Sequence, residues 1–85
     1  MPHYYFDVHL GPNFLPDEHG FELDNLDAAE VEASNTALEL ARHQLLNDHI
    51  HEVRVKVKND DHQEMLIVEV SMKTKRVQQV LANAA

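Results

Sequence analysis

Eighty-five residues suffice for one domain with one core, burying about 60% of the surface an unfolded chain exposes, and are too few for a large enclosed active site. With no cysteine in the chain, disulfides, thiolate metal sites and cysteine nucleophiles are excluded. The formal charge of −8 is lopsided, since residues 1–48 carry ten acids against Arg42 alone while residues 49–85 carry six bases against five acids; a phosphate backbone is repelled by the first part and meets only a local basic patch in the second.

The chain opens on an alternating stretch, "HYYFDVHL", in which Tyr4, Phe6, Val8 and Leu10 share one side of a strand and His3, Tyr5, Asp7 and His9 the other. Gly11-Pro12-Asn13 supplies a turn into a short return strand at Phe14 and Leu15. Pro16 lacks a ladder donor, so that strand belongs at an edge. A second turn, Asp17 to Gly20, precedes an extended, half-buried segment at Phe21 and Leu23. Asp24 or Asn25 is placed to cap a helix over about Leu26 to Asn47, with Asp27 and Glu30 near its positive end. Leu26, Ala29, Ala33, Ala37 and Leu40 form its inner stripe, and the alanines permit close approach to a sheet. Val31, Leu38 and Leu45 widen the apolar arc beyond what one sheet contact needs, so a further cover is expected on that flank.

Residues 51–58 alternate again, with Val53, Val55 and Val57 inward and Glu52, Arg54, Lys56 and Lys58 outward. Asn59 to His62 reads as a hairpin loop, and the return strand puts Leu66, Val68, Val70 and Met72 on one face and Met65, Ile67, Glu69 and Ser71 on the other. Val77, Val80, Leu81 and Ala84 recur at helical spacing, which predicts a short C-terminal helix over Lys75 to Ala84. Such a helix needs a neighbour, because isolated helices below about 12 residues are marginal. The predicted fold is α+β, ββαββ(α): an antiparallel sheet packed on one long helix. Residues 1–74 form one domain, and 75–85 a helical tail packed on it or on a partner chain.

Three segments, "MPHYYFDV", "LPDEHGFEL" and "DNLDAAEVEA", resemble a family of small bacterial proteins. Its members begin M-P-x-[YF]-[YF]-F, carry a P-D-x-x-G-x-E-[LF] hairpin and continue into a helix written D-[LF]-x-x-A-x-x-E-A. The resemblance covers residues 1 to about 46, more loosely the strand pair at 51–72. It is a domain-of-unknown-function family, so the likeness implies a fold and a bacterial origin but no activity. The tail from Lys73 to Ala85 and the load of seven histidines depart from the pattern. The chain also resembles small antitoxins whose hairpin-plus-helix domain neutralises a ribonuclease, but lacks their proline-glycine-cysteine segment ahead of the helix.

His3, Tyr5, Asp7 and His9 are residue types from which metal and acid–base sites are built. Alternate residues of a strand lie about 7 Å apart, whereas a metal ion takes its nitrogen ligands at about 2.0–2.1 Å. Adjacent members of the row can share an ion and its two ends cannot; a hydrated sheet face explains the row more simply. His49-x-His51 beside Asp48 is the stronger chelating pattern, though it has no third histidine at fixed spacing. Asp17-Glu18-His19 has acids beside a base in a turn, and neither Ser34 nor Ser71 stands in a nucleophile elbow. The two glycines make no phosphate-cradling loop. No enzyme and no cofactor is therefore expected.

Arg54, Lys56 and Lys58 form a basic strand face suited to nucleic acid or a toxin, but charged decoration that blocks strand aggregation is the commoner use of such residues. The expected role is a small interaction module whose partner is a second copy of the chain. Tyr5, Met65, Ile67, Val77, Val80 and Leu81 are the interface candidates. The longest aliphatic run, Met65 to Val68, cannot cross a bilayer, and the opening Met-Pro-His has no basic region. A cytoplasmic location without membrane association is expected.

Overall fold

A computed structural model describes residues 1–46 and 50–78. In chain order it contains β1 (His3–Leu10), β2 (Asn13–Leu15), β3 (Phe21–Glu22), α1 (Leu26–Gln44), β4 (Glu52–Lys58) and β5 (Glu64–Ser71). The strands make one antiparallel sheet of order β2-β1-β4-β5, with β3 pairing on the other end of β1. This is the ββαββ arrangement that the two alternating hairpins and the intervening helix predict.

Register explains why the alternation works. Phe6 lies opposite Val57, Val8 opposite Val55 and Leu10 opposite Val53, so one face of the central strand pair is apolar without interruption. Gly11 begins the two-residue β1–β2 turn at φ +58°, which glycine adopts without steric cost. Its N–H donates to the Glu52 carbonyl at 3.2 Å and extends the β1–β4 ladder.

Asn25 caps α1: its side chain accepts from the Ala28 N–H at 2.8 Å. Asp27 sits in the first turn and Arg42 and His43 in the last, each matched to the end of the helix it flanks. Leu45 closes the final turn by donating to the Ala41 carbonyl, and the regular helix ends at Gln44, earlier than its apolar pattern suggests. Asn47 to His49 lie outside the described residues.

Ala29, Ala33 and Ala37 are completely buried, as are Val53, Val55 and Val57. Burying one such valine contributes about 1.5–3 kcal/mol, and the small alanine side chains bring the helix axis down onto the strand. Tyr4 and Phe6 join the three alanines, Val55 and Val57 in one cluster, with Phe21 set edge-on against Phe6 at 5.6 Å. Leu10, Ala41, Leu45, Ile50 and Val53 form a second cluster at the other end. The helix backbone lies closest to β4 and β5, and β1 reaches it through the side chains of Tyr4, Phe6 and Leu10. The inner stripe is thus as expected, with Ala41 added, and Leu45 is buried; Val31 and Leu38 remain 61% and 59% exposed.

Residues 72–78 carry no helix and are exposed. The predicted C-terminal helix is therefore not formed over 75–78, and Val80, Leu81 and Ala84 lie outside the described residues.

Replacing a fully buried alanine on the helix–sheet seam forces the two elements apart. Ala37→Leu is expected to lower the unfolding free energy by about 1–3 kcal/mol, measured by urea titration, whereas Ala28→Leu outside the stripe is expected to change it little.

Candidate functional site

The face of the sheet away from α1 carries the chemically active side chains, and a loop that folds against β1 organises them. β2 pairs with Val8 to Leu10 and β3 with His3 and Tyr4. Between these two stretches lies Phe6, whose N–H donates to Asp17 Oδ2 at 3.1 Å. A carboxylate therefore occupies the place of a missing strand. The same side chain accepts from the His19 and Gly20 N–H groups at 3.1 and 3.0 Å through Oδ1, an aspartate-centred turn. In return, the Asp17 N–H donates to Asp7 Oδ1 at 2.9 Å.

Gly20 is required here, at φ +69° with an added Cβ 2.7 Å from both the Tyr4 carbonyl oxygen and His3 Nε2. His3 Nε2 lies 2.7 Å from the His19 carbonyl. Since a carbonyl only accepts, Nε2 carries the proton.

Asp7 corrects the expectation of a wet odd-numbered row. It points to the predicted face but is only 5% exposed, because the Asp17 loop folds over it and Lys58 closes on its other oxygen at 2.8 Å. Burial pushes the Asp7 carboxyl up; the Lys58 ammonium and the Asp17 amide outweigh it and hold the group below the usual carboxylate range. Asp17 behaves alike: burial raises it, and the Gly20, Phe6 and His19 amides bring it below its ordinary value. Lys58 is raised by its hydrogen bond and charge contact with Asp7.

Tyr5, Asp7, Phe14, Asp17, Lys58 and His62 line most of a half-open hollow of about 400 Å³. Tyr5 lies between the rings of His3 at 5.0 Å and His62 at 6.3 Å. His62 adopts φ +62° in the β4–β5 loop, where Asn59 accepts from the Asp61 and Gln63 amides and fixes the turn. Asp7 and Asp17 are both held ionised, the opposite of the upward tuning that a general acid near neutral pH requires. His9 leaves the hollow to stack on Phe14 at 4.6 Å. Among the described residues no group of three or more metal-ligating side chains converges. His51 is exposed, and His49 lies outside the described residues.

Arg54, Lys56 and Lys58 form the predicted column on β4, yet two are already neutralised. Arg54 contacts Glu52 at 3.0 Å and Glu69 at 3.5 Å, and Lys58 holds Asp7. Lys56 alone has no acidic partner among the described residues. Of the interface candidates, Met65 and Ile67 are exposed on this face, but β4 and its basic column separate them from Tyr5, since Tyr5 pairs with Lys58 and Ile67 with Lys56. Val77 is exposed, and Val80 and Leu81 lie outside the described residues.

A family model for a domain of unknown function, DUF6894, matches residues 3–71. The chain belongs to this family. No curated protein and no solved structure matches it. The match takes in every strand of the DUF6894 domain and ends at the last residue of β5. No helix among its described residues is long and apolar enough to cross a membrane.

What the sequence reading missed is the role of Asp17 in the DUF6894 domain. The available signal was an aspartate three residues ahead of a glycine in a turn, a spacing that lets one carboxylate collect consecutive amides. Asp17→Ala strips acceptors from three N–H groups and is expected to cost about 1–3 kcal/mol in denaturant unfolding, with amide exchange at Phe6 rising most. Because the folded pKa values of Asp7 and Asp17 are depressed, their stabilisation is present above the ordinary carboxylate pKa of about 4 and is lost as pH falls through the folded values. The raised Lys58 contributes below about pH 10.4 and loses its contribution as pH rises through its folded value. Thermal melts followed by circular dichroism are therefore expected to lose midpoint below about pH 4, with a shallower acid limb in Asp17→Asn.

Proposed function

We propose that this DUF6894 chain is a non-enzymatic interaction module that works as a homodimer. The observation that carries this reading is the amount of large apolar side chain the fold leaves in water. Phe14, Met65 and Ile67 are exposed on the open sheet face, and Val31, Leu38, Leu46 and Met72 on the helix side. So many on a domain of this size exceed the scattered exposed residues of an ordinary monomer and point to surfaces with partners. The uneven charge adds a self-complementary feature, an acidic first part and a slightly basic second part, which suits a two-fold pairing.

The non-enzymatic part of the reading is supported by what the acids of the open face already do. Asp7 and Asp17 serve as acceptors for backbone amides and Lys58. A carboxylate committed to structure in this way has no proton to give at neutral pH. A nucleic-acid role gains nothing from the β4 column, whose charges are largely satisfied within the sheet.

Light scattering coupled to size exclusion, run on the full chain from low to high micromolar concentration, tests the reading. Twice the chain mass is the expected result. A mass of one chain throughout the range overturns it.

A further inference from the structure

No described strand pairs with the outer edge of β5, and the apolar flank of α1 lies beside that edge. β5 ends the sheet order, and its eight residues include no lysine, proline or glycine, the usual means by which an edge strand resists pairing with another chain. Immediately above it, Leu38, Ala41, Leu45, Leu46, Val70 and Met72 line most of an open groove of about 490 Å³. Val31 stands on the same flank of α1, two turns before Leu38.

The geometry points to a second copy of this chain as the occupant, paired antiparallel through β5 so that the two sheets run into one. This inference specifies the surface for the homodimer proposed above and rests on that reading. Backbone direction can be worked out from the ladder. The Glu52 carbonyl accepts from the Gly11 N–H, so even-numbered β4 residues turn their backbone groups toward β1 and odd-numbered ones toward β5. Val53 and Val55 therefore exchange hydrogen bonds with Val70 and Val68. It follows that Ile67, Glu69 and Ser71, with Met65 at the irregularity near Val57, present N–H and C=O groups to the open edge.

A two-fold axis perpendicular to the sheet puts both helices on one side, and directly opposed residues then share a face. With the axis at Val68, all four outward-facing residues find partners: Met65 with Ser71 of the other copy, Ile67 with Glu69. On the helix side Val68 meets Val68, and Leu66 meets Val70. Neither Glu64 nor Glu69 directly opposes its own counterpart; the two Glu69 side chains lie diagonally across the axis, each beside the Arg54 of its own chain. The exposed flanks carrying Val31 and Leu38 then face each other above the joined strands. A partner must supply a free strand and an apolar helix flank on the same side, and this chain supplies both. Residues 73–78 of its own tail are exposed and do not line the groove.

Residue-resolved amide exchange on the full chain reads the alternation directly. The Ile67 and Glu69 amides are expected to become protected as concentration rises, while those of Val68 and Val70 are protected at all concentrations. In light scattering, Leu38→Glu, an exposed position that the fold does not need, is expected to weaken the dimer at least tenfold, and Phe14→Ser on the open face to leave it unchanged. High salt is expected to leave the dimer intact, since apolar contact and backbone pairing carry it. A dimer that Leu38→Glu leaves untouched and Phe14→Ser dissolves overturns the β5 pairing and leaves the homodimer standing. A wild-type monomer overturns both, and protection of Ile67 and Glu69 in that monomer, independent of concentration, assigns the edge to the chain's own C-terminal segment.

Discussion

The fold depends on how closely α1 approaches β4. Three alanines and three valines, all fully buried, make that seam, and no large side chain holds the layers apart. Close approach gives dense packing in a chain too short for a thick core. It also limits coverage. A narrow helix face seated on β4 and β5 leaves β1 to reach the helix through the long side chains of Tyr4, Phe6 and Leu10, and the outer edge of the first strand is held by other means.

Those means are polar. Short β2 and β3 each take one end of β1, and the Asp17 carboxylate takes the backbone donor between them. The arrangement extends further, because Asp17 gives its own N–H to Asp7, which in turn holds Lys58 on β4. The loop, β1 and β4 are thereby coupled through two carboxylates. The result is a sheet face whose charged side chains are directed inward to one another. That is why residues that look like an active site in the sequence form a brace in the structure.

Much of this was legible beforehand, and the reasons are particular. Val53, Val55 and Val57 alternate with charged residues, and that period can only belong to a strand with one wet face. Ala29, Ala33 and Ala37 recur at helical spacing after a capping asparagine. Asp7 was not legible as a buried residue, since its burial depends on a loop ten positions away folding back over the strand, and alternation reports which face a side chain takes but not what covers that face. The position of α1 across the sheet was hidden for a similar reason. The wheel shows a broad apolar arc through Val31 and Leu38, yet only tertiary contact reveals that this flank overhangs an edge strand rather than the middle of the sheet.

The overhang bears on why such a small sheet tolerates an unguarded edge. An exposed strand free of lysine, proline and glycine is a hazard when it can accept any other strand. A helix flank that projects over it narrows the choice. An arriving strand alone leaves Val31, Leu38 and Met72 in water, and an arriving helix alone leaves the Ile67 and Glu69 backbone unpaired; a second copy in antiparallel register satisfies both sets of groups at once. Apolar contact above the strand then acts as a filter on backbone pairing below it, because each interaction is weak unless the other forms with it. In the proposed dimer, the lateral placement of α1 over β4 and β5 is what would convert an aggregation-prone edge into a surface with one preferred partner.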